Sequence, residues 1–342
     1  MALTVRKSKS EPGRIGVLLV NLGTPEGTDY RSMRRYLAEF LSDPRVIEIS
    51  PWLWKPLLQG VILNIRPQRS GRLYDRIWNR DLDESPLLTF TRAQAAGLQS
   101  HFDSAASGVV CDWAMRYGNP AIADRIEALQ ARGCQRILLV PLYPQYSAST
   151  TASVVDKAGA AMAALRHQPT LRTMPPYYAD PLYIEALAST LTSHLATLSW
   201  QPDCVLASFH GLPLSYVERG DPYQSQCEAT VRALRARLGW DEERLRLAYQ
   251  SRVGRQQWIE PYTAETVRAL ARDGIRALCV ITPGFAADCV ETLEEIAISL
   301  RDTYLKEGGE KFACVPCLND TGPGMRMLAG LVERELQGWL QA

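Results

Sequence analysis

Four acids fall in the segment Thr282–Ser299, TPGFAADCVETLEEIAIS. On a helix of about 3.6 residues per turn, Asp288, Glu291 and Glu295 fall on one stripe, with Leu293, Ile296 and Leu300 facing a core on the other side. Like charges spaced i,i+4 repel by a few tenths of a kcal/mol even in water, so the row is either an ordinary solvated face or a place that holds a cation or a proton. A histidine, His210, stands at the end of a second apolar run, Cys204–Phe209 (CVLASF), and is followed by Gly211-Leu212-Pro213. Alone, a histidine on such a turn is more often structural than chemical. Paired with acids from the same half of the sequence, an imidazole that titrates near neutral pH points to handling of protons or of a hard divalent cation.

The elements that must position these groups are legible as buried strands. Ala277–Ile281 is apolar and β-branched, Pro283-Gly284 breaks it, and a helical pattern starts near Ala286. Acids and imidazole thus both sit at strand carboxyl ends, where open α/β sheets hold ligands. The same grammar runs through the rest of the sequence. Strands are expected at Ile15–Asn21, Val109–Met115, Arg136–Pro141, Leu245–Ser251 and Phe312–Leu318. Helices are expected at Asp29–Leu41, Ala121–Arg132, Pro181–Leu198, after Thr263 as cap, and at Gly324–Leu340. Setting Pro120 against Pro261 aligns Leu129 with Leu270, Gly133 with Gly274 and Val140 with Ile281 without a gap, which predicts two similar α/β lobes, 15–170 and 171–342, facing each other across a cleft.

Size and composition agree. A length of 342 residues exceeds what one core usually organises. A net charge of +1 without basic stripes argues against nucleic acid as a partner. The eight cysteines are scattered, several inside strands, which reads as reduced thiols in a cytoplasmic setting. Leu22-Gly23-Thr24-Pro25 lacks the spacing of a dinucleotide fingerprint, and no phosphate loop occurs, so a nucleotide cofactor is not expected. Residues 1–14 read as a loose basic arm, and no run reaches the roughly 18 apolar residues of a spanning helix. Pro51–Ile65 (PWLWKPLLQGVILNI) is very apolar for a surface segment; it is either a helix buried under a loop or a lip that meets an apolar ligand or a bilayer surface.

Seven ordered motifs carry a resemblance over Gly16–Leu318: LLVNLGTP (18–25), MRYGNP (115–120), PLYPQYSAST (141–150), SFHGLP (208–213), YQSRVG (249–254), WIEPYT (258–263) and PGFAADCVETLEEI (283–296). In these the sequence resembles the ferrochelatases, which insert ferrous iron into a porphyrin at the end of haem synthesis. The resemblance implies two Rossmann-like lobes, each a parallel sheet flanked by helices, with a porphyrin cleft between them. It implies that His210 and Glu291 bind the metal and accept protons, and that Asp288 and Glu295 continue an acidic path. It implies that Arg116, Tyr117 and Tyr143 line the porphyrin side, and Leu22, Tyr74 and Trp258 are counted with them as substrate-binding residues. It further implies protoporphyrin IX and Fe²⁺ as substrates, and peripheral contact of segment 51–65 with the inner face of a membrane; a monomer is expected.

Two departures bear on cofactors. Some relatives hold an iron–sulfur cluster with clustered cysteines, but Ala148 replaces a cysteine here, and Cys314 with Cys317 cannot fill a four-ligand site, so no cluster is expected. Cys289 stands where relatives can carry a histidine. The competing readings are a chelatase for coproporphyrin, another tetrapyrrole or cobalt, and a porphyrin carrier without chemistry, which would not need the acids at 288, 291 and 295.

Overall fold

The computed structural model describes residues 14–340 apart from 106 and 255, so most of the expected N-terminal arm lies outside the described residues. Its first lobe contains β1 (Arg14–Gly23), α1 (Tyr30–Phe40), α2 (Pro51–Leu57), π1 (Leu58–Ile62), α3 (Leu63–Asp75) and α4 (Pro86–Ser104). It continues with β2 (Val109–Tyr117), α5 (Ile122–Ala131), β3 (Cys134–Pro141), π2 (Ala148–Ala152), α6 (Ser153–Ala164) and β4 (Thr170–Thr173). The second contains α7 (Pro181–Thr197), β5 (Cys204–His210), α8 (Leu214–Glu218), α9 (Tyr223–Leu238) and β6 (Leu245–Gln250). Then come α10 (Thr263–Arg272), β7 (Ala277–Ile281), π3 (Glu291–Leu300), α11 (Arg301–Lys306), β8 (Lys311–Cys314) and α12 (Gly322–Glu335).

Each lobe folds around a four-stranded parallel sheet, and the strand orders match: β2-β1-β3-β4 and β6-β5-β7-β8. The internal repeat is therefore architectural. Gly133 and Gly274 close corresponding helices at φ 85° and 89°, a conformation open to glycine without a Cβ clash. Met115 N–H donates to Pro120 C=O and Tyr249 N–H to Pro261 C=O, both at 2.8 Å. A π-helix follows the third strand of each sheet.

The two lobes are not independent bodies. One apolar core runs from Val17, Leu98 and Leu138 of the first to Val205, Phe209 and Val231 of the second, through Leu191 of α7 and Val332 of α12. Separate clusters fill the other face of each sheet, around Leu139 and Val154 and around Leu206 and Val267. The free edge of β2 is covered by an amide: Gln99 accepts from Cys111 N–H at 2.7 Å and donates to Val109 C=O at 3.1 Å, as a neighbouring strand would.

The structure moves several boundaries. The helix expected from Ala286 starts at Val290, because Ala286–Cys289 is an irregular loop, and it is π-wound from Glu291 to Leu300. Thr263 is the first helical residue rather than the cap; its hydroxyl bonds Ser208 Oγ at 2.8 Å. The run Phe312–Leu318 pairs only as far as Cys314.

Segment 51–65 is buried on one side and exposed on the other. Leu58 and Leu63 are buried with Met33, Tyr36 and Leu37, while Trp52 (90% exposed), Leu53 (74%), Leu57, Val61 and Ile65 face outward. Trp54 Nε1 donates to Leu41 C=O at 2.6 Å and ties α2 to the end of α1. α3 lies against the turn before α1 through Gly71, where a Cβ would come within 2.3 Å of Thr28 C=O. Gly71→Ala is expected to force these elements apart and to cost roughly 1–3 kcal/mol in chemical denaturation. Gly60→Ala, with nothing within 4 Å of its added carbon, serves as the neutral control.

Candidate active site

His210 ends β5, and its Nδ1 lies 2.6 Å from Gly211 C=O. The carbonyl requires the proton on Nδ1, so in the neutral ring the lone pair that could take a proton or a metal is on Nε2. Gly211 is required by crowding: a Cβ there would sit 2.8 Å from Gln250 C=O and 3.0 Å from the Trp258 ring. Trp258 consequently packs with its ring 6.4 Å from that of His210, held by Nε1 donating to Val253 C=O at 3.0 Å.

One buried amide joins imidazole and acids. Gln250, which pairs with His210 in the sheet, accepts from Ser208 Oγ at 2.8 Å and donates to the backbone carbonyl of Glu291 at 2.8 Å. Ser251 then turns into the left-handed region at φ 65° and gives both its N–H (2.7 Å) and its hydroxyl (2.5 Å) to the Glu295 carboxylate. Such a conformation in a residue other than glycine is strained and is often found at functional sites. Burial pushes the Glu295 carboxyl above its ordinary value, against the Ser251 hydrogen bonds and the His210 charge, with the Glu291 charge adding to the rise. His210, Glu291 and Glu295 are thereby brought within electrostatic reach of one another.

Asp288 stands apart from this row. It is buried in the loop before π3, where it accepts from Asn319 Nδ2 at 2.7 Å and Thr292 Oγ1 at 2.8 Å and faces Cys317 N–H. The stripe of three acids inferred for an α-helix is therefore two acids on a π-helix plus one loop carboxylate that anchors the C-terminal segment.

Glu291 faces the first lobe. The phenols of Tyr36 and Tyr74 are raised by burial first and then in part by the Glu291 charge. Arg66, which no motif of the sequence singles out, joins them: burial lowers its proton affinity, partly offset by Tyr36, Tyr74 and Glu291 nearby. Its one signal is its position, an arginine directly after the apolar lip. Leu22 packs against the small cluster of Leu87, Ala287 and Cys289 that precedes π3.

Tyr143 has a buried hydroxyl with no partner among the described residues, near Tyr117 and Tyr36. Arg116 and Tyr117 are committed elsewhere. Both bond Asp43, Tyr117 at 2.8 Å, and Arg116 Nε bonds Ser153 Oγ at 2.6 Å. Burial pushes Asp43 up, but Ser153, Arg45 N–H, Tyr117 and the Arg116 charge outweigh it and hold the carboxyl below its ordinary value. Tyr117 is fully buried, so these residues brace the wall behind Tyr143.

With this geometry in place, comparison with known proteins is decisive. The family model described as ferrochelatase matches residues 14–336. The chain belongs to the ferrochelatase family. It is 58% identical over 328 residues to the ferrochelatase of Rhizobium meliloti (strain 1021), covering 96% of each protein. It is 57% identical over 329 residues to that of Rhodopseudomonas palustris (strain BisB5), covering 96% of this protein and 95% of the relative. Among solved structures, it overlays on SirB from Bacillus subtilis with Fe3+ at TM-score 0.56 and 11% identity, over 95% of this protein and 97% of that one. CbiX, the terminal enzyme for biosynthesis of siroheme in denitrifying bacteria, overlays at TM-score 0.52 and 15% identity, over 94% and 100%. These two likenesses show the two-lobed chelatase fold. Family membership makes the protein an enzyme, a lyase that inserts ferrous iron into protoporphyrin IX.

The raised Glu295 carboxyl gives a testable sign. Between the ordinary value of 4.5 and the raised one, the native state keeps a proton that the unfolded state has lost. Stability therefore falls as pH rises through that window. The thermal midpoint of Glu295→Gln relative to wild type is expected to climb with pH across the window and then level off; a pH-independent difference would contradict the assignment.

Proposed function

We propose that His210 removes the pyrrole protons and that Glu291 and Glu295 receive them and help desolvate the incoming iron. Inserting a divalent ion requires two N–H protons to leave, the ion to shed water and the flat ring to pucker. The observation that carries this reading is the His210–Gly211 hydrogen bond, which occupies Nδ1 and makes Nε2 the nitrogen left to exchange a proton, within electrostatic reach of a carboxylate with raised proton affinity. Carboxylates suit hydrated Fe²⁺ and imidazole is a good intermediate ligand, so iron enters here as a substrate passing between these groups. Cys314 and Cys317 have no role in this scheme: both are buried thiols pushed up by burial, and two of them do not fill a four-ligand cluster site. No permanent cofactor enters the scheme.

The porphyrin lies against Leu22, Tyr36, Tyr74, Tyr143 and Trp258, with Arg66 supplying a desolvated cation for a propionate. Ring distortion costs a few kcal/mol, within the roughly 1–5 kcal/mol that remote contacts supply. His210→Ala is expected to lower kcat for zinc or iron insertion at least about a hundredfold, read as loss of free-porphyrin fluorescence. Near-normal turnover in a folded variant would remove His210 from the mechanism.

A monomer acting at the inner membrane face fits the lip. No described helix is long and apolar enough to cross a bilayer. Trp52, Leu53, Leu57, Val61 and Ile65 are exposed, and besides the inward Arg66 the stretch Ser50–Tyr74 carries Lys55, Arg69 and Arg72 with no acid, a composition suited to an anionic surface. Trp52→Glu combined with Leu53→Glu is expected to abolish co-sedimentation with vesicles containing anionic lipid while leaving turnover in detergent unchanged.

A further inference from the structure

We propose that Arg76, Glu294 and Ser299 form a lock that holds π3 in its wide winding and so positions Glu291 and Glu295. Arg76 caps the end of α3 in the first lobe, and its guanidinium is ion-paired with the Glu294 carboxylate across the lobe boundary. The Glu294 side chain is 5% exposed, so the charge is answered by that cation and not by water. The same carboxylate oxygen accepts from Ser299 Oγ at 2.9 Å, five residues along the same helix.

That second contact reports the winding. In an α-helix, residues five apart point about 140° away from each other. In a π-helix, whose bonds run from i to i+5, they stand nearly one above the other. Arg301 N–H reaches back to Ile296 C=O in this pattern. Glu294 can therefore bond Ser299 while π3 is wide, and the contact opens if the helix tightens. A tighter helix would also turn Glu295 relative to Glu291, away from Ser251 and His210.

The grip on π3 thus comes from two sides. From the second lobe, Gln250 holds the Glu291 carbonyl and Ser251 holds the Glu295 carboxylate. From the first lobe, Arg76 holds Glu294, and Tyr74, two residues earlier, lies by Glu291. Glu294 and Arg76 do not touch the reacting atoms; they act through the two acids, and the proposal rests on the roles given to those acids above.

The test compares Arg76→Met, Arg76→Lys, Glu294→Gln and Ser299→Ala in the full-length enzyme. Insertion kinetics are measured alongside hydrogen exchange of the peptide spanning residues 291–301. Arg76→Met and Glu294→Gln are expected to lower kcat roughly tenfold, since small misplacements of catalytic groups carry penalties of this order or more, with KM for porphyrin within about twofold. Arg76→Lys keeps the pair and is expected to retain most of the rate. Exchange in the peptide should accelerate in Arg76→Met, Glu294→Gln and Ser299→Ala and not in Arg76→Lys. The double variant Glu294→Gln/Ser299→Ala should lose no more than Glu294→Gln alone. Unchanged exchange in Glu294→Gln overturns the lock whatever the rate does. Accelerated exchange with unchanged kcat upholds the lock and overturns instead the assignment of Glu291 and Glu295.

Discussion

The site hangs on the buried amide of Gln250. A parallel sheet offers its strand ends as fixed points, but a helix that follows a loop can settle in many registers. Gln250 removes that freedom by holding Ser208 on one side and the Glu291 carbonyl on the other, while the next residue closes on Glu295. Each of these polar groups is satisfied inside the protein, which is the condition for a buried network to stabilise one arrangement. The strained Ser251 is the visible cost. Its left-handed backbone is held because both of its donors reach the same carboxylate.

Much of the architecture is legible in the sequence because its strands are buried on both faces. Continuous apolar runs such as Cys204–Phe209 and Ala277–Ile281 leave little choice but a parallel interior strand. The glycines and prolines at their ends then set the repeat. The π-winding is not legible this way. Apolar side chains at Ile296 and Leu300 fit a core stripe in either winding, so periodicity alone assigns three acids to one face. Asp288 leaves that face because Asn319, thirty-one residues later, and Thr292 offer it a closed set of partners. No local pattern announces a partner at that distance.

The first-lobe wall shows the same limit in reverse. The motif containing Arg116 and Tyr117 is plain in the sequence, yet Asp43 and Ser153 draw both side chains into a buried brace. The side chains that do approach Glu291 include Tyr36, inside a run read only as a helix, and Arg66, set apart only by following the apolar lip. Tertiary proximity decides between two arginines of equal charge.

Ile65 and Arg66 are consecutive, yet the first is 68% exposed on the outer face and the second turns inward toward Tyr36, Tyr74 and Glu291. A single helix about 10 Å across therefore carries an apolar outer edge and, one residue on, a cation near Tyr36, Tyr74 and Glu291. On the proposed reading of both faces, delivery of a poorly soluble macrocycle and its metallation would share this one wall.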